Sequence, residues 1–353
     1  MSVEPEILFE RRGTAGLITL NRPKALNAVT PNMAHLLAVQ LKDWAQDDAV
    51  TRVVISAAGE RAFSAGGDIR ALTELGRVGR YDEMLDFWRE EYALNALIKN
   101  YRKPYVALID GIVMGGGVGI SVHGSHRVAG DRYIFAMPEV GIGFFPDVGA
   151  TWFLPRMPGE LGSYCALTGE RFDAADGVAA KIATHRVASA KFAELSEALC
   201  TAVPVDAVLA AFAEPIGVAP IAAKRGAIDR LFAGDQVEAI LAALDREAGA
   251  GGSEAKFAAD MAAIIRTKSP MSLKLALAQV RAGREMTFDA CMRTEFRIVS
   301  RIIHGHDFYE GVRAVIVDKD NAPDWRPERL AEVTPADIER HFASLGAEEL
   351  VLP

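Results

Sequence analysis

The stretch 103-KPYVALIDGIVMGGGVGISVHGSHRVA-129 decides the fold class. YVALIDG reads as a buried strand, MGGGVGISVHG as a glycine loop running into a small-residue helix, and RVAGD as a further strand. The same order occurs upstream, where RVVISAAG is followed by Phe63-Ser64-Ala65-Gly66-Gly67-Asp68-Ile69 and a helix starting near Asp68. Two strand–loop–helix units with glycine-rich strand exits predict an α/β fold with parallel strands. There is no strict sequence repeat.

Working outward, ILFERRGTAGLITLN reads as a hairpin around Arg12-Gly13-Thr14. Thr30 with Pro31 makes an N-cap and first helical residue for PNMAHLLAVQLKDWAQ. Met84, Phe87, Trp88, Tyr92, Leu94 and Leu97 recur at near-helical spacing and predict a helix over 81–100. YIFAM is a strand candidate. Beyond about residue 190 the texture turns Ala-rich and charged, and KFAELSEALCTAV, QVEAILAALDREA, SLKLALAQVRAG and ACMRTEFRIVSRIIHG all read as helices. The expected organisation is an α/β core over 1–190 and a mainly helical region over 191–353.

A chain of 353 residues can bury a large core, and its net charge of −8 weighs against a nucleic-acid partner. Cys165, Cys200 and Cys291 are far apart and form no CxxC pair, which fits a reducing compartment. The opening MSVEPEILFE lacks the basic-then-apolar plan of a signal peptide, and no uncharged apolar run reaches membrane-spanning length. The expectation is a cytoplasmic protein with no membrane partner.

Neither glycine loop matches GxGxxG or GxxxxGK[ST], which disfavours the usual dinucleotide and nucleotide sites. Glycines at tight turns are common, so each loop alone reads first as structure. Together they could aim two N–H groups at one oxygen. The segment 137-MPEVGIGFFPDVGATWFLPR-156 poses a sharper question. Between Arg132 and Arg156 its only charged side chains are Glu139 and Asp147, each directly after a proline. Carboxylates in apolar surroundings cost free energy unless paired, hydrogen-bonded or protonated. Two readings compete: Asp147 caps a helix while Glu139 pairs with Arg132 or Arg156, or both acids share a pocket where a raised pKa suits acid–base work.

His123 and His126 lack a third metal ligand and read as packing or surface histidines. His304 and His306, with Asp307 and Glu310 nearby, read as a loop polar network ahead of a metal site. No GxSxG elbow appears.

Taken together, AFSAGGDIRAL, the 103–129 stretch, FAMPEVGIGFFPDVGATWFLPR, LTGERF and the C-terminal GHDFYEGVRAVIVDKDNAPDWRP resemble the crotonase (enoyl-CoA hydratase/isomerase) superfamily, most closely its thioester-hydrolase branch. The resemblance runs over nearly the whole chain and is weakest at about 190–265. It implies a crotonase-like spiral of ββα units followed by helices, an acyl-CoA substrate and no metal or other cofactor. It also implies that the N–H groups of Gly67 and Gly116 hold the thioester oxygen. Glu139 and Asp147 are then the catalytic acids, and Glu91 touches substrate. Ala65 and the turn Lys24, Ala25, Leu26 match the region lining the CoA adenine and pantetheine. The expected reaction is hydrolysis of a short branched 3-hydroxyacyl-CoA, as valine breakdown requires. Hydratases of the superfamily carry a first glutamate just after the glycine triplet, where this chain has Gly119 and no acid between Met114 and Asp131. An enoyl-CoA hydratase or isomerase with rearranged acids, and a silent acyl-CoA-binding homologue, are the alternatives. Trimeric assembly is common in the superfamily, so a homo-oligomer is a further expectation, unless the longer helical tail covers that surface.

Overall fold

The computed structural model describes residues 4–353. β1 (Ile7–Arg12) and β2 (Ala15–Leu20) form the hairpin, paired antiparallel from Ile7 opposite Leu20 to Arg12 opposite Ala15. Every later pairing between strands is parallel. β3 (Arg52–Ala57), β5 (Tyr105–Ile109), β7 (His126–Ala129) and β9 (His185–Arg186) extend the hairpin into a six-stranded sheet of order β1-β2-β3-β5-β7-β9.

Three short strands, β4 (Ala62–Ser64), β6 (Ile112–Met114) and β8 (Ile134–Ala136), form a second sheet in the order β4-β6-β8. β3, β5 and β7 are thus each followed, after a few residues, by a short strand in the other sheet. That alternation is the ββα spiral. The sequence reading anticipated β8, within YIFAM, but folded β4 and β6 into neighbouring loops and strands, because three residues carry no readable alternation.

The long strands are apolar on both faces because both faces are covered. On β5, Tyr105, Ala107 and Ile109 face the main core, whereas Val106 and Leu108 face a smaller cluster with Val54, Val128, Leu195, Leu199 and Leu209. The helices Phe192–Leu199 and Val205–Phe212 provide that outer cover. After β9 the described chain is helical, as expected, yet the main core draws on residues from Ile7 to Leu350.

The predicted helices form. In α1 (Pro31–Gln46), Thr30 Oγ1 accepts from the Met33 N–H at 3.1 Å, and Met33, Leu37, Leu41 and Trp44 line the inner face. α2 covers Ile69–Arg77, α3 Tyr81–Lys99 and α4 Gly116–Val122. The buried face of α3 carries three polar residues, Glu91, Tyr92 and Asn95, among Phe87, Trp88, Leu94 and Ile98. Polar groups are costly on such a face, and their position directs attention to what they border.

Candidate active site

Because β4, β6 and β8 run parallel and adjacent, their C-terminal ends lie side by side. The chain leaves β4 into Ala65-Gly66-Gly67, leaves β6 into Gly115-Gly116, and leaves β8 into Met137-Pro138-Glu139. Three segments far apart in sequence therefore open into one cavity of about 390 Å³. Its walls include Ala65, Gly67, Glu91, Gly116, Glu139 and Asp147, with Phe87, Trp88 and Phe144 as apolar surface. Six of the nine residues singled out from the sequence converge here.

Lys24, Ala25 and Leu26 do not line this cavity. Pro23–Ala25 form a 3₁₀ turn whose neighbour Leu26 accepts the Ala65 N–H at 3.0 Å through its carbonyl. The turn supports the Ala65 loop from behind.

Gly67 and Gly116 present two free donors. Neither N–H donates to an acceptor of the chain among the described residues. For Gly116 this follows from its place as the first residue of α4, where helical N–H groups have no internal partner. A Cβ at Gly116 would lie 3.2 Å from the Gly67 nitrogen and 2.5 Å from Glu91 Oε1. Only glycine lets the two loops come this close. Two convergent, uncommitted backbone donors can stabilise charge developing on a carbonyl oxygen.

Glu139 starts a 3₁₀ turn, Glu139–Ile142, that Gly143 ends in the left-handed conformation with φ 68°. Its side chain is 6% exposed and Oε2 has no hydrogen-bond partner. Burial, and then the nearby Asp147, push its carboxyl well above the usual range. Asp147 is 5% exposed and accepts the Tyr92 hydroxyl at 2.8 Å. Burial raises it to about 7, with the Tyr92 hydrogen bond pulling the other way. Glu91 is raised by burial first, then by Asp147 and Glu295, and its Oε1 is unpartnered.

The capping and pairing alternatives are overturned. Gly149, not Asp147, occupies the N-cap of the short helix Ala150–Phe153. Arg132 pairs with Asp110 and Glu60, while Arg156 donates to the carbonyls of Trp152, Gly283 and Met286. No cation neutralises Glu139 or Asp147 through an ion pair among the described residues.

Three side chains hold the Pro146–Thr151 turn that presents Asp147. Glu295, from the helix Phe288–Ile302, accepts from the Gly149 N–H at 2.7 Å and the Thr151 N–H at 2.8 Å. Gln279 donates to the Pro146 carbonyl. His123 Nε2 meets the Val148 carbonyl at 2.7 Å, and burial drives the ring down to about 4, so it is neutral. The sequence reading missed Tyr92, Gln279 and Glu295 as polar partners of this turn. Glu295 did leave a signal: it falls in the apolar stripe Phe288, Cys291, Met292, Val299, Ile302 at helical spacing. Lys268, Val315, Ile316 and Asn321 also reach the cavity from beyond residue 190, so the site spans both halves of the expected organisation.

The second histidine group is a polar network. His306 Nε2 contacts the Asp324 carbonyl at 2.9 Å, Asp307 accepts from Ser269 Oγ and the Arg326 N–H, and Glu310 pairs with Arg313. No group of metal-ligating side chains occurs among the described residues. No described helix is long and apolar enough to cross a membrane.

The enoyl-CoA hydratase/isomerase family model matches residues 15–342. The chain is 45% identical to the mitochondrial 3-hydroxyisobutyryl-CoA hydrolase of Danio rerio over 98% of its own length and 92% of that protein's. It is 43% identical to the mitochondrial enzyme of that name from Homo sapiens, covering 98% and 90%. These relatives, being mitochondrial, lend no support to the cytoplasmic expectation. Among solved structures, a carnitinyl-CoA dehydratase from Mycobacterium thermoresistibile superposes with a TM-score of 0.92 at 43% identity over 98% of both chains. An enoyl-CoA hydratase from Rhodobacter sphaeroides gives 0.89 at 37% identity, covering 99% and 100%. With its spiral, its paired glycine donors and full-length relatives at this identity, the chain belongs to the enoyl-CoA hydratase/isomerase family.

Proposed function

We propose that the protein hydrolyses 3-hydroxyisobutyryl-CoA to 3-hydroxyisobutyrate and CoA. The observation that carries this reading is the joint burial of Glu139 and Asp147 in one cavity with the free N–H groups of Gly67 and Gly116. The thioester oxygen lies against the two glycine donors, which stabilise the charge that builds as the carbonyl carbon becomes tetrahedral. Glu139 acts at that carbon, as base to an attacking water or as the attacking oxygen itself. Water supplies OH to the acyl carbon, the C–S bond breaks, and the CoA thiolate takes the remaining proton. Asp147 receives the acyl 3-hydroxyl, and Tyr92 fixes its orientation. Glu91 borders the acyl group beside Gly116. Lys24, Ala25 and Leu26 border the CoA moiety outside the acyl cavity, and the Leu26 carbonyl holds the Ala65 loop. Neither a metal nor a further cofactor enters this chemistry.

The two solved relatives, a carnitinyl-CoA dehydratase and an enoyl-CoA hydratase, make double-bond hydration the second reading. Gly119 counts against it, because a Cβ there would sit 2.7 Å from Val148 Cβ and 2.8 Å from Asn95 Nδ2. No acid fits where the family's hydratases carry their first glutamate.

The test measures free-thiol release from 3-hydroxyisobutyryl-CoA beside loss of the double bond in a short enoyl-CoA. Thiol release from the first with the second inert is the expected result. Double-bond loss without thiol release overturns it. Glu139→Gln is expected to lower turnover by about 10²–10⁴-fold while CoA-ester binding persists. Over a single turnover in ¹⁸O-water, label entering the Glu139 carboxylate marks a covalent route in which water opens the mixed anhydride at the Glu139 carbon, whereas attack of water at the acyl carbon puts the label in the acid product. The cytoplasmic location and a homo-oligomeric state are also proposed, the first on three buried free thiols. Fractionation and light scattering check them.

A further inference from the structure

A second pocket, of about 220 Å³, lies where the C-terminal end of α3, β7, the segment after Asp147 and the residues following the helix Ala174–Ala179 meet. It shares no lining residue with the acyl cavity. Lys99, Arg127, Arg156 and Lys181 all border it, and no acid does. The remaining wall includes Trp152 and the neutral His123.

Four cations together without a carboxylate run against the composition. The chain has 47 acids for 39 Lys and Arg, so most basic groups have an acid within reach. None of these four forms an ion pair among the described residues. Arg127 donates to the carbonyls of Ile182, Gly124 and Lys181, and Arg156 to those of Trp152, Gly283 and Met286. Each guanidinium has five N–H groups and commits three, so both are held rigidly with donors to spare. Among the described residues Lys99 and Lys181 make no side-chain hydrogen bond. Arg156 stacks 3.3 Å from the Trp152 ring centroid, and Lys99 Nζ lies 5.5 Å from it.

Bland explanations account for parts of this. Carbonyl clamping explains the two arginines, and the helix dipole favours a cation such as Lys99 at the end of α3. Neither explains Lys181, nor why all four converge on one hollow. The Lys99 ammonium is held below its usual range, by burial first and then by Arg127 and Arg156. An anion in the pocket relieves the repulsion among these cations.

We propose that this pocket is a binding site for a phosphate group, free or as a small phosphate ester. Fixed guanidinium forks suit its oxygens, and the two lysines supply mobile charge.

The test titrates the full-length protein, free of acyl-CoA, with inorganic phosphate against chloride at matched ionic strength. Calorimetry and tryptophan emission are recorded together. A saturable one-site heat with a change in emission is expected. Trp152→Phe should abolish the emission change and keep the heat. The double variant Lys99→Gln, Lys181→Gln should weaken binding at least 10-fold with an unchanged far-UV circular dichroism spectrum. Glycerol phosphate binding more tightly than phosphate assigns an ester, and the reverse assigns the free ion. Absence of saturable heat, or equal affinity in the double variant, overturns the proposal.

Discussion

Asp147 shows how much one side chain can cost this fold. Its carboxyl is raised from 3.8 to about 7, chiefly by burial. The folded state thus holds the proton more tightly than the unfolded chain does. The associated stability is complete below the unfolded value near 4 and is lost as pH rises through about 7. Asp147→Asn removes the charge and keeps an acceptor for the Tyr92 hydroxyl. The variant should be more thermostable than the parent above about pH 8, by on the order of 4 kcal/mol, with the gap closing toward about pH 4. Thermal unfolding across that range checks this, and an equal gap at every pH would remove desolvated charge as its cause. The same residue shows what sequence reading could reach. Two lone acids in an apolar segment were legible as a problem; that Tyr92, not a cation, answers part of it was not.

Elements matter here through close approach. α4 lies against the Asp147 loop only because Gly119 has no side chain. A Cβ there would stand 2.7 Å and 3.1 Å from Val148 Cβ and Cγ1. Gly119→Ala should therefore cost about 1–3 kcal/mol by overpacking. It should also lower turnover, since Val148 adjoins Asp147. Denaturant melts and kcat read the two effects, and full stability in the variant would show that the loop yields easily. From sequence, Gly119 was visible only as a departure from the hydratase pattern. Its contact with Val148 joins positions 29 residues apart, and no local periodicity reports such a contact.

On the scale of the whole molecule, the helical half completes the site. Glu295 and Gln279 hold the turn that presents Asp147, and Lys268, Val315 and Ile316 close the cavity. The main hydrophobic cluster runs through both halves. A chain ending at residue 190 should lack a cooperative thermal transition and any acyl-CoA binding, measured by circular dichroism and calorimetry. A sharp transition in that fragment would show that the spiral folds alone. The boundary near 190 is a change of texture from strands to helices, and the core does not divide there.

The amino-acid sequence by itself determined the α/β class, the hairpin, the capped first helix and the helical second half, and it singled out six of the residues that line the candidate site. These are local signals: alternation, helical spacing, capping chemistry, and charge out of place in an apolar run. Only the tertiary structure decided the second, three-stranded sheet, because three residues are too few to show a period. That sheet is what brings Gly67, Gly116 and Glu139 to one opening, since parallel neighbouring strands end on the same side. The gathering of Lys99, Arg127, Arg156 and Lys181 around one hollow is of the same kind. Each is an ordinary surface cation in the sequence, and their mutual repulsion exists only once the fold has placed them together.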